Sequence, residues 1–475
     1  MAAERSTTVL RLENLDSSRS APATDVSEWE SEEGANVTTV EPVPPNGKYG
    51  WVCTFAVFMI NAHTWGVNAL VLKPWAVIMA HYSAHPETVK ATHLQFGFVG
   101  GLSISMALLI SPLVTFVRRC VGARWTLLMG SVLISISLFT SSFATEIWHL
   151  FLSQGLCFGW GMGFLYVTAS NLLPPWFSTR RSLAVGIGTS GAGIGGLLYS
   201  IVTDRIIQSL GVDWAYRILA LCALAANILS SFLIQDFDSR AHAPPSELRF
   251  NPRDLGQLEV LLIFLWGFSS ELGYIILLYS LPVYALSIGL TPAQGSIANA
   301  LLYLGLAVGR PPMGYISDTF GRINMAGIMT CLCGIFCFAL WIPTQSYVPL
   351  LFFALLSGML CGTFWCTITP ILADVVGIRK LANTFAVICI GMVLPTTFAE
   401  PVAMQLVSGV ESKSFLNAQI FAGSMFLTGS LSLWVLRCRK IFANNDESAS
   451  ITIGRRHRYW VSWLTPQFLF SRQRV

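Results

Sequence analysis

LLYLGLAVGRPPMGYISDTFGRIN, residues 301 to 324, decides how the chain folds. It begins as an apolar helix, carries one arginine, Arg310, well inside it, and breaks into a polar turn at Asp318. A charge at mid-helix in lipid costs roughly 2.5 to 3.5 kcal/mol on insertion scales, so an arginine there faces the protein interior or a wet cavity. Arg310 is therefore the first candidate for a functional residue.

The composition around this stretch agrees with a bilayer environment. Of 475 residues, 53% are hydrophobic and 11% charged, and the mean hydropathy is +0.60; a soluble domain is about a quarter charged. A helical span needs roughly 20 mostly apolar residues. Such runs fall near 51 to 73, 94 to 116, 124 to 143, 147 to 173, 183 to 203, 215 to 235, 257 to 281, 296 to 316, 323 to 343, 348 to 373, 381 to 407 and 418 to 437. The expectation is an all-α integral membrane protein with twelve transmembrane helices and no soluble catalytic domain.

Residues 1 to 49 open with Glu4 and Arg5 and contain no apolar core, so the first span reads as an internal anchor rather than a cleaved signal. This tail is rich in Ser, Thr, Pro and acid (Glu28, Glu30, Glu32, Glu33), and is expected to be disordered. Lys and Arg in short loops set orientation. The even-numbered connections hold eleven (Arg118, Arg119, Arg124, Arg180, Arg181, Arg240, Arg249, Arg253, Arg322, Arg379, Lys380) against three in the odd-numbered ones (Lys90, Arg205, Lys413), which puts both termini in the cytosol. The Asn36-Val37-Thr38 sequon would then stay unmodified. A net charge of +4 is too small and too bound to these loops to argue for nucleic acid; attraction to anionic lipid accounts for it. The eleven cysteines lie mostly inside spans, lack metal-ligand spacing and read as small packing residues, so neither metal nor cofactor is expected.

The polar stretch 237 to 256 is the longest interruption between spans and divides the chain into a bundle over 50 to 236 and another over 257 to 438, followed by a basic tail at 439 to 475. Setting Gly122 against Gly321 aligns Ser111-Pro112 with Arg310-Pro311, a weak internal repeat. Two six-helix bundles in parallel repeat place a substrate site between them near mid-membrane.

Gly314-x-x-x-Asp318-x-x-Gly321-Arg322 resembles the cytosolic loop motif of the major facilitator superfamily. The matching first-half loop, SPLVTFVRRCVGAR, has Arg119 where that motif has its acid. Asn46-Gly47-Lys48-Tyr49-Gly50-Trp51, and Trp176 to Gly186 with Arg180 and Arg181 inside it, resemble the paired signatures of the monocarboxylate transporter family, although Asn46 stands where the first signature usually has an acid. With the RPPMG run from Arg310 to Gly314, the similarity spans roughly residues 46 to 438 and is greatest to the fungal branch. The resemblance implies a major facilitator fold, alternating access and a small organic anion as cargo, with a proton as possible co-substrate.

For Arg310 the functional reading is a dock for an anionic group, since guanidinium binds a carboxylate through two parallel hydrogen bonds. The alternative is a structural arginine paired to an acid on a neighbouring span. Animal members of the family carry a substrate-linked arginine at the matching place and an aspartate four residues earlier. Here that position is Leu306, so a relay through an adjacent acid does not carry over. Lys73 lies one turn beyond Ala69, where the family's substrate-linked lysine would fall. It either replaces that lysine or snorkels to the outer interface beside Pro74.

Glu271 and Glu400 are acids within apolar runs. A carboxyl held out of water can take up and release a proton near neutral pH, as a symporter requires; either could instead pair with Arg310 or Arg217. Asp374 reads as an interface residue at the cytosolic end of the tenth span. Asn61, His63, Asn68, Asn171, Tyr274, Tyr303 and Trp365 could line the pathway. Gly186-Ile187-Gly188-Thr189-Ser190-Gly191 matches a dinucleotide fingerprint but lies inside a span, so that reading is set aside. With Gly193, Gly195 and Gly196, and with Gly155, Gly159 and Gly163 in the fourth span, these glycines predict closely packed, sliding helices. The tail from Arg455 to Arg474 mixes aromatics with basic residues, as a segment lying on the inner leaflet would.

The reading is a secondary active carrier, not an enzyme, in the plasma membrane. A second reading is uptake or efflux of a larger fungal secondary metabolite, or of a vitamin such as riboflavin.

Overall fold

The computed structural model describes residues 44–72, 93–237, 256–407 and 415–453. Among them every regular element is helical. In chain order the spans are α1 (Lys48–Leu72), α2 (93–121), α3 (123–141), α4 (147–170), α5 (Arg181–Leu210), α6 (Val212–Leu233), α7 (Leu258–Ser287), α8 (Pro292–Phe320), α9 (322–341), α10 (347–376), α11 (378–406) and α12 (Leu416–Ile453). All twelve runs expected from hydropathy are therefore helices. The last continues past Cys438, so the expected tail begins as helix.

Four of the junctions are a single glycine with positive φ. Gly122 (φ 84), Gly211 (φ 87), Gly321 (φ 99) and Gly377 (φ 81) each end one helix and begin the next. An L-residue is strained there and glycine is not, so these four positions fix where the chain reverses. Gly122 and Gly321, aligned by the internal repeat, close α2 onto α3 and α8 onto α9 in the same way.

Eight helical runs among the described residues are long and apolar enough to cross a bilayer by composition alone. α8 is not one of them, because Gln294, Asn299, Arg310 and Asp318 dilute it. It is packed between α5 and α10. Large apolar side chains such as Phe116, Trp125, Leu221 and Phe352 cover the outside. A patch of that kind is a liability in water and suits contact with acyl chains.

The first six helices and the last six meet along two seams, α5 against α8 and α2 against α11. α5 has a glycine face on each side. A Cβ on Gly191 would stand 2.0 Å from the Phe58 carbonyl oxygen of α1, and one on Gly195 2.2 Å from that of Ala62. On the other side, a Cβ on Gly186 would stand 2.6 Å from the Arg310 carbonyl oxygen, and one on Gly193 2.5 Å from the Ala307 nitrogen of α8. In α4, Gly159 and Gly163 admit Ser103 and Ala107 of α2 equally closely. The second seam is polar: Ser105 Oγ lies 2.6 Å from Thr397 Oγ1, and Ser111 Oγ donates to the Ala386 carbonyl at 3.0 Å.

Candidate functional site

The site grows from helical spacing. On α8, Tyr303, Leu306 and Arg310 are three and four residues apart; on α1, Asn61, Trp65 and Asn68 have the reverse spacing; on α7, Glu271, Tyr274, Ile275 and Leu278 repeat it. Each set therefore forms one stripe on its helix. The stripes converge, with Tyr166 of α4, Thr189 of α5 and Trp365 of α10, on a cavity of about 40 Å³ between the first six helices and the last six. That is room for about three waters.

Arg310 is 4% exposed. Its Nη1 donates to the carbonyl oxygen of Thr189 at 2.5 Å, across the α5–α8 seam. Its Nε is buried with no partner. The guanidinium lies over Gly362, where α10 bends: a Cβ there would stand 2.7 Å from Nη2 and 3.0 Å from Nε. Glycine at 362 is thus what makes space for the arginine, a requirement that hydropathy and motif spacing do not reveal.

Glu271 is 2% exposed and lines the same cavity. Among the described residues no ion pair joins it to Arg310. Arg217, the other cation considered as a partner for the buried acids, lies elsewhere: it donates to Ser142 Oγ at 3.2 Å and sits over the Phe143 ring at 4.9 Å. The Trp365 indole N–H is the polar group set against the Glu271 carboxyl, short of a formed hydrogen bond. Leu306 lies on the Arg310 stripe one turn back, buried and apolar, so the acid in this cavity comes from α7 rather than α8.

Aromatic rings form one wall. Trp65 meets Tyr166 edge-on at 5.2 Å, Tyr166 meets Trp365 edge-on at 5.6 Å, and the two indoles lie 6.1 Å apart at 39°. The indole nitrogens of Trp65 and Trp365 and the Tyr166 hydroxyl are buried without hydrogen-bond partners. Of the residues named from sequence, Arg310, Glu271, Asn61, Asn68, Tyr274, Tyr303 and Trp365 line the cavity. His63 instead bonds the Met59 carbonyl within α1, and Asn171 bonds that of Val167 within α4. Trp65, Tyr166 and Thr189 are additions; only Trp65, on the Asn61–Asn68 stripe, had a signal in sequence. Lys73 lies outside the described residues, as does the side chain of Glu400, whose backbone belongs to α11.

The loop motif sits at one end of the bundle and crosses between the halves. Asp318, at the end of α8, accepts from the backbone nitrogens of Ser182 (3.1 Å) and Leu183 (2.9 Å) at the start of α5. That placement sets a carboxylate on unsatisfied N–H groups at a helix N-terminus. Arg322 pairs with Asp318 at 3.2 Å and with Asp374 of α10, and donates to Ser182 Oγ at 3.0 Å. Asp374 also receives Arg181 at 3.1 Å, so it joins both arginines. Gly314 lets α8 approach: a Cβ there would stand 2.3 Å from the Ser182 carbonyl oxygen. On the first-half side, Arg119 donates to Asn383 of α11. Both seams are tied at this end, with different chemistry.

The two sequence signatures of the first half are in contact here. Asn46 Oδ1 accepts from the Ser178 nitrogen at 3.0 Å, its Nδ2 donates to Ser178 Oγ at 2.8 Å, and Trp51 packs edge-on to Phe177 at 5.1 Å. Gly50 is tight against the same ring, 2.8 Å from its Cζ for an added Cβ. Asn46 thus makes the backbone bond that an acid would accept. Arg181 is buried and bonds the carbonyls of Pro174 and Phe177 at 3.1 and 3.0 Å, whereas Arg180 is exposed and caps α5.

Comparison with known proteins gives a consistent answer. The model of the Major Facilitator Superfamily matches residues 50–285 and 263–473. A probable transporter of Saccharomyces cerevisiae, MCH2, is 30% identical over 404 residues, covering 84% of this chain and 85% of that one. Among solved structures, the proton:xylose symporter XylE matches with a TM-score of 0.64 at 16% identity, covering 82% of this chain and 96% of that one. FucP in its outward conformation matches with a TM-score of 0.61 at 13% identity, over 82% and 98%. With two six-helix sets, a cavity between them and a cross-half loop motif, the chain belongs to the Major Facilitator Superfamily and is an integral, multi-pass membrane transporter.

Proposed function

We propose that the protein is a secondary active carrier of a small organic anion, with Arg310 as the anion dock and Glu271 as the proton-carrying group. The observation that carries this reading is the state of Arg310: buried at the wall of a largely apolar cavity, held by one hydrogen bond, its Nε unpartnered. A buried cation without a counter-charge is strongly disfavoured, and a carboxylate entering the cavity supplies that charge in the bidentate geometry guanidinium prefers. The resemblance of residues 46–51, 176–186 and 310–314 to monocarboxylate transporter signatures supports the same cargo.

Glu271 supports proton coupling because, among the described residues, it is the acid that lines the cavity, and it makes no ion pair with Arg310 there. When neutral it leaves Arg310 to the substrate; when ionised it competes for the same cation. Alternating access follows from rocking of the two halves about the cavity, with the Asp318–Arg322–Asp374 ties made in one conformation and released in the other. Both termini in the cytosol is the orientation that the loop arginines favour, and the plasma membrane is the host membrane in this reading.

Reconstituted vesicles test this reading. Labelled carboxylates should enter faster when an inward proton gradient is imposed, and Arg310→Gln should abolish their transport while the protein still purifies as a folded monodisperse species. A rate indifferent to the gradient would remove the proton. Transport of riboflavin in place of every carboxylate would favour the larger-cargo reading.

A further inference from the structure

We infer that the anion this carrier docks is flat and conjugated, a benzoate-type carboxylate bearing a further oxygen acceptor, rather than an open-chain aliphatic acid. The inference rests on the reading of Arg310 as an anion dock and adds the class of the anion's body. Its basis is the ring wall. Trp65 and Tyr166 belong to α1 and α4 of the first half, and Trp365 belongs to α10 of the second. The contacts at 5.6 and 6.1 Å are therefore made across the boundary between the halves. Rocking of one half against the other parts Trp365 from the other two rings and opens a slot with aromatic faces and edges on both sides.

A flat conjugated body fits such a slot better than a puckered one. Aromatic groups gain from offset and edge-on contact with one another, beyond the area they bury, and only a planar ring can make these contacts on both faces at once. An aliphatic chain regains the buried area but not the ring–ring geometry. The rings pack on one another at the wall of the present cavity of about 40 Å³, so a substrate ring replaces contacts that opening would lose.

The polar groups of the wall point the same way. Trp65 Nε1 and Trp365 Nε1 are buried donors that form no hydrogen bond, the latter with the Glu271 carboxyl set against it, and the Tyr166 hydroxyl forms none either. Tyr166 is 3% exposed and Trp365 7%. Indole N–H can only donate, and a buried donor left unpaired is disfavoured until an acceptor reaches it. With Arg310 taking the carboxylate, these donors select a ligand whose ring carries oxygen. Among the described residues Glu271 is the one carboxylate of the lining, and that lining offers more donors than acceptors.

Titration calorimetry of the full-length protein in nanodiscs distinguishes the cases, using benzoate, 4-hydroxybenzoate, cyclohexanecarboxylate and acetate. Benzoate and cyclohexanecarboxylate share charge and approximate size and differ in planarity. The expected result is benzoate at least tenfold tighter than cyclohexanecarboxylate, with 4-hydroxybenzoate tighter still and acetate weakest. Trp365→Leu should remove the preference for benzoate, and Trp365→Phe should keep it while losing the advantage of the hydroxyl. Should the leucine variant fail to fold, the ligand series on the unaltered protein decides alone. Equal affinity for benzoate and cyclohexanecarboxylate, or a preference for acetate, overturns the inference and leaves the anion dock standing. Failure of all four carboxylates to bind removes both.

Discussion

Arg310 and Thr189 are joined by a hydrogen bond of 2.5 Å from Nη1 to a main-chain carbonyl, so the one arginine inside α8 reaches across the seam to the opposite half. The bond uses one of five N–H donors of the guanidinium. It orients the group without neutralising it. On the proposed reading, a dock held this way is pre-organised for a second, charged partner, and it touches both halves.

Replacing Arg310 by Lys keeps the charge and removes the fork. Because ammonium is a point charge that cannot bond a carboxylate bidentately, affinity for the transported anion should fall by at least tenfold, with the thermal midpoint nearly unchanged. Equilibrium binding and a melting curve measured on the same preparation check this. Retention of full affinity would show that charge alone matters.

Glu271→Gln should separate exchange from accumulation. The neutral amide keeps the volume but cannot release a proton, so exchange of internal for external anion should continue while uphill uptake driven by a pH gradient disappears. Counterflow and gradient-driven uptake in the same vesicles are the two readings. Loss of both would make Glu271 a structural or binding group.

The ties at the motif end should not be equal in weight. Asp374 is 42% exposed in its side chain, so each of its two arginine pairs is expected to contribute at most about 1 kcal/mol. Asp318 is 7% exposed and accepts two backbone N–H groups; hydrogen bonds to a charged group contribute roughly 1.5 to 3 kcal/mol. Asp318→Asn should therefore shift the population away from the closed motif end by more than tenfold, and Asp374→Asn by a few-fold. Distances between spin labels on α5 and α8 at that end report the populations directly.

Alanine at three glycines should give three outcomes. At Gly191 the added carbon meets the Phe58 carbonyl at 2.0 Å within the first half, a clash present in any conformation, and overpacking of about 1 to 3 kcal/mol should lower the melting temperature throughout. At Gly193 the clash, 2.5 Å from the Ala307 nitrogen, lies across the α5–α8 seam, so it should disfavour the closed seam while leaving each half intact. At Gly327 the nearest atom is 3.7 Å away, and alanine should be neutral or stabilising by up to about 1 kcal/mol. Melting curves and seam distances on the three variants separate them.

The sequence alone determined the twelve helices, because a bilayer leaves roughly 20 apolar residues per span as the workable solution and each run announces itself. It also determined that Arg310 is buried in protein, since lipid would not hold the charge, and that Gly122 and Gly321 occupy matching places. Polar and aromatic residues inside apolar runs, Asn61, Asn68, Glu271, Tyr274 and Tyr303 among them, were candidates on that ground, and a place within a span does not say what a residue's face meets. The tertiary structure decided the rest. It set His63 and Asn171 onto their own helices' carbonyls and brought Trp65, Tyr166 and Trp365 together from three helices. It placed Gly362 under the guanidinium, joined the 46–51 and 176–186 signatures through Asn46 and Ser178, and made Asp374 the link between Arg181 and Arg322. Those relations span separations of up to 300 residues, and local periodicity carries no information about which helix will lie beside which. Packing of small residues on both faces of α5 is what brings those distant stripes together.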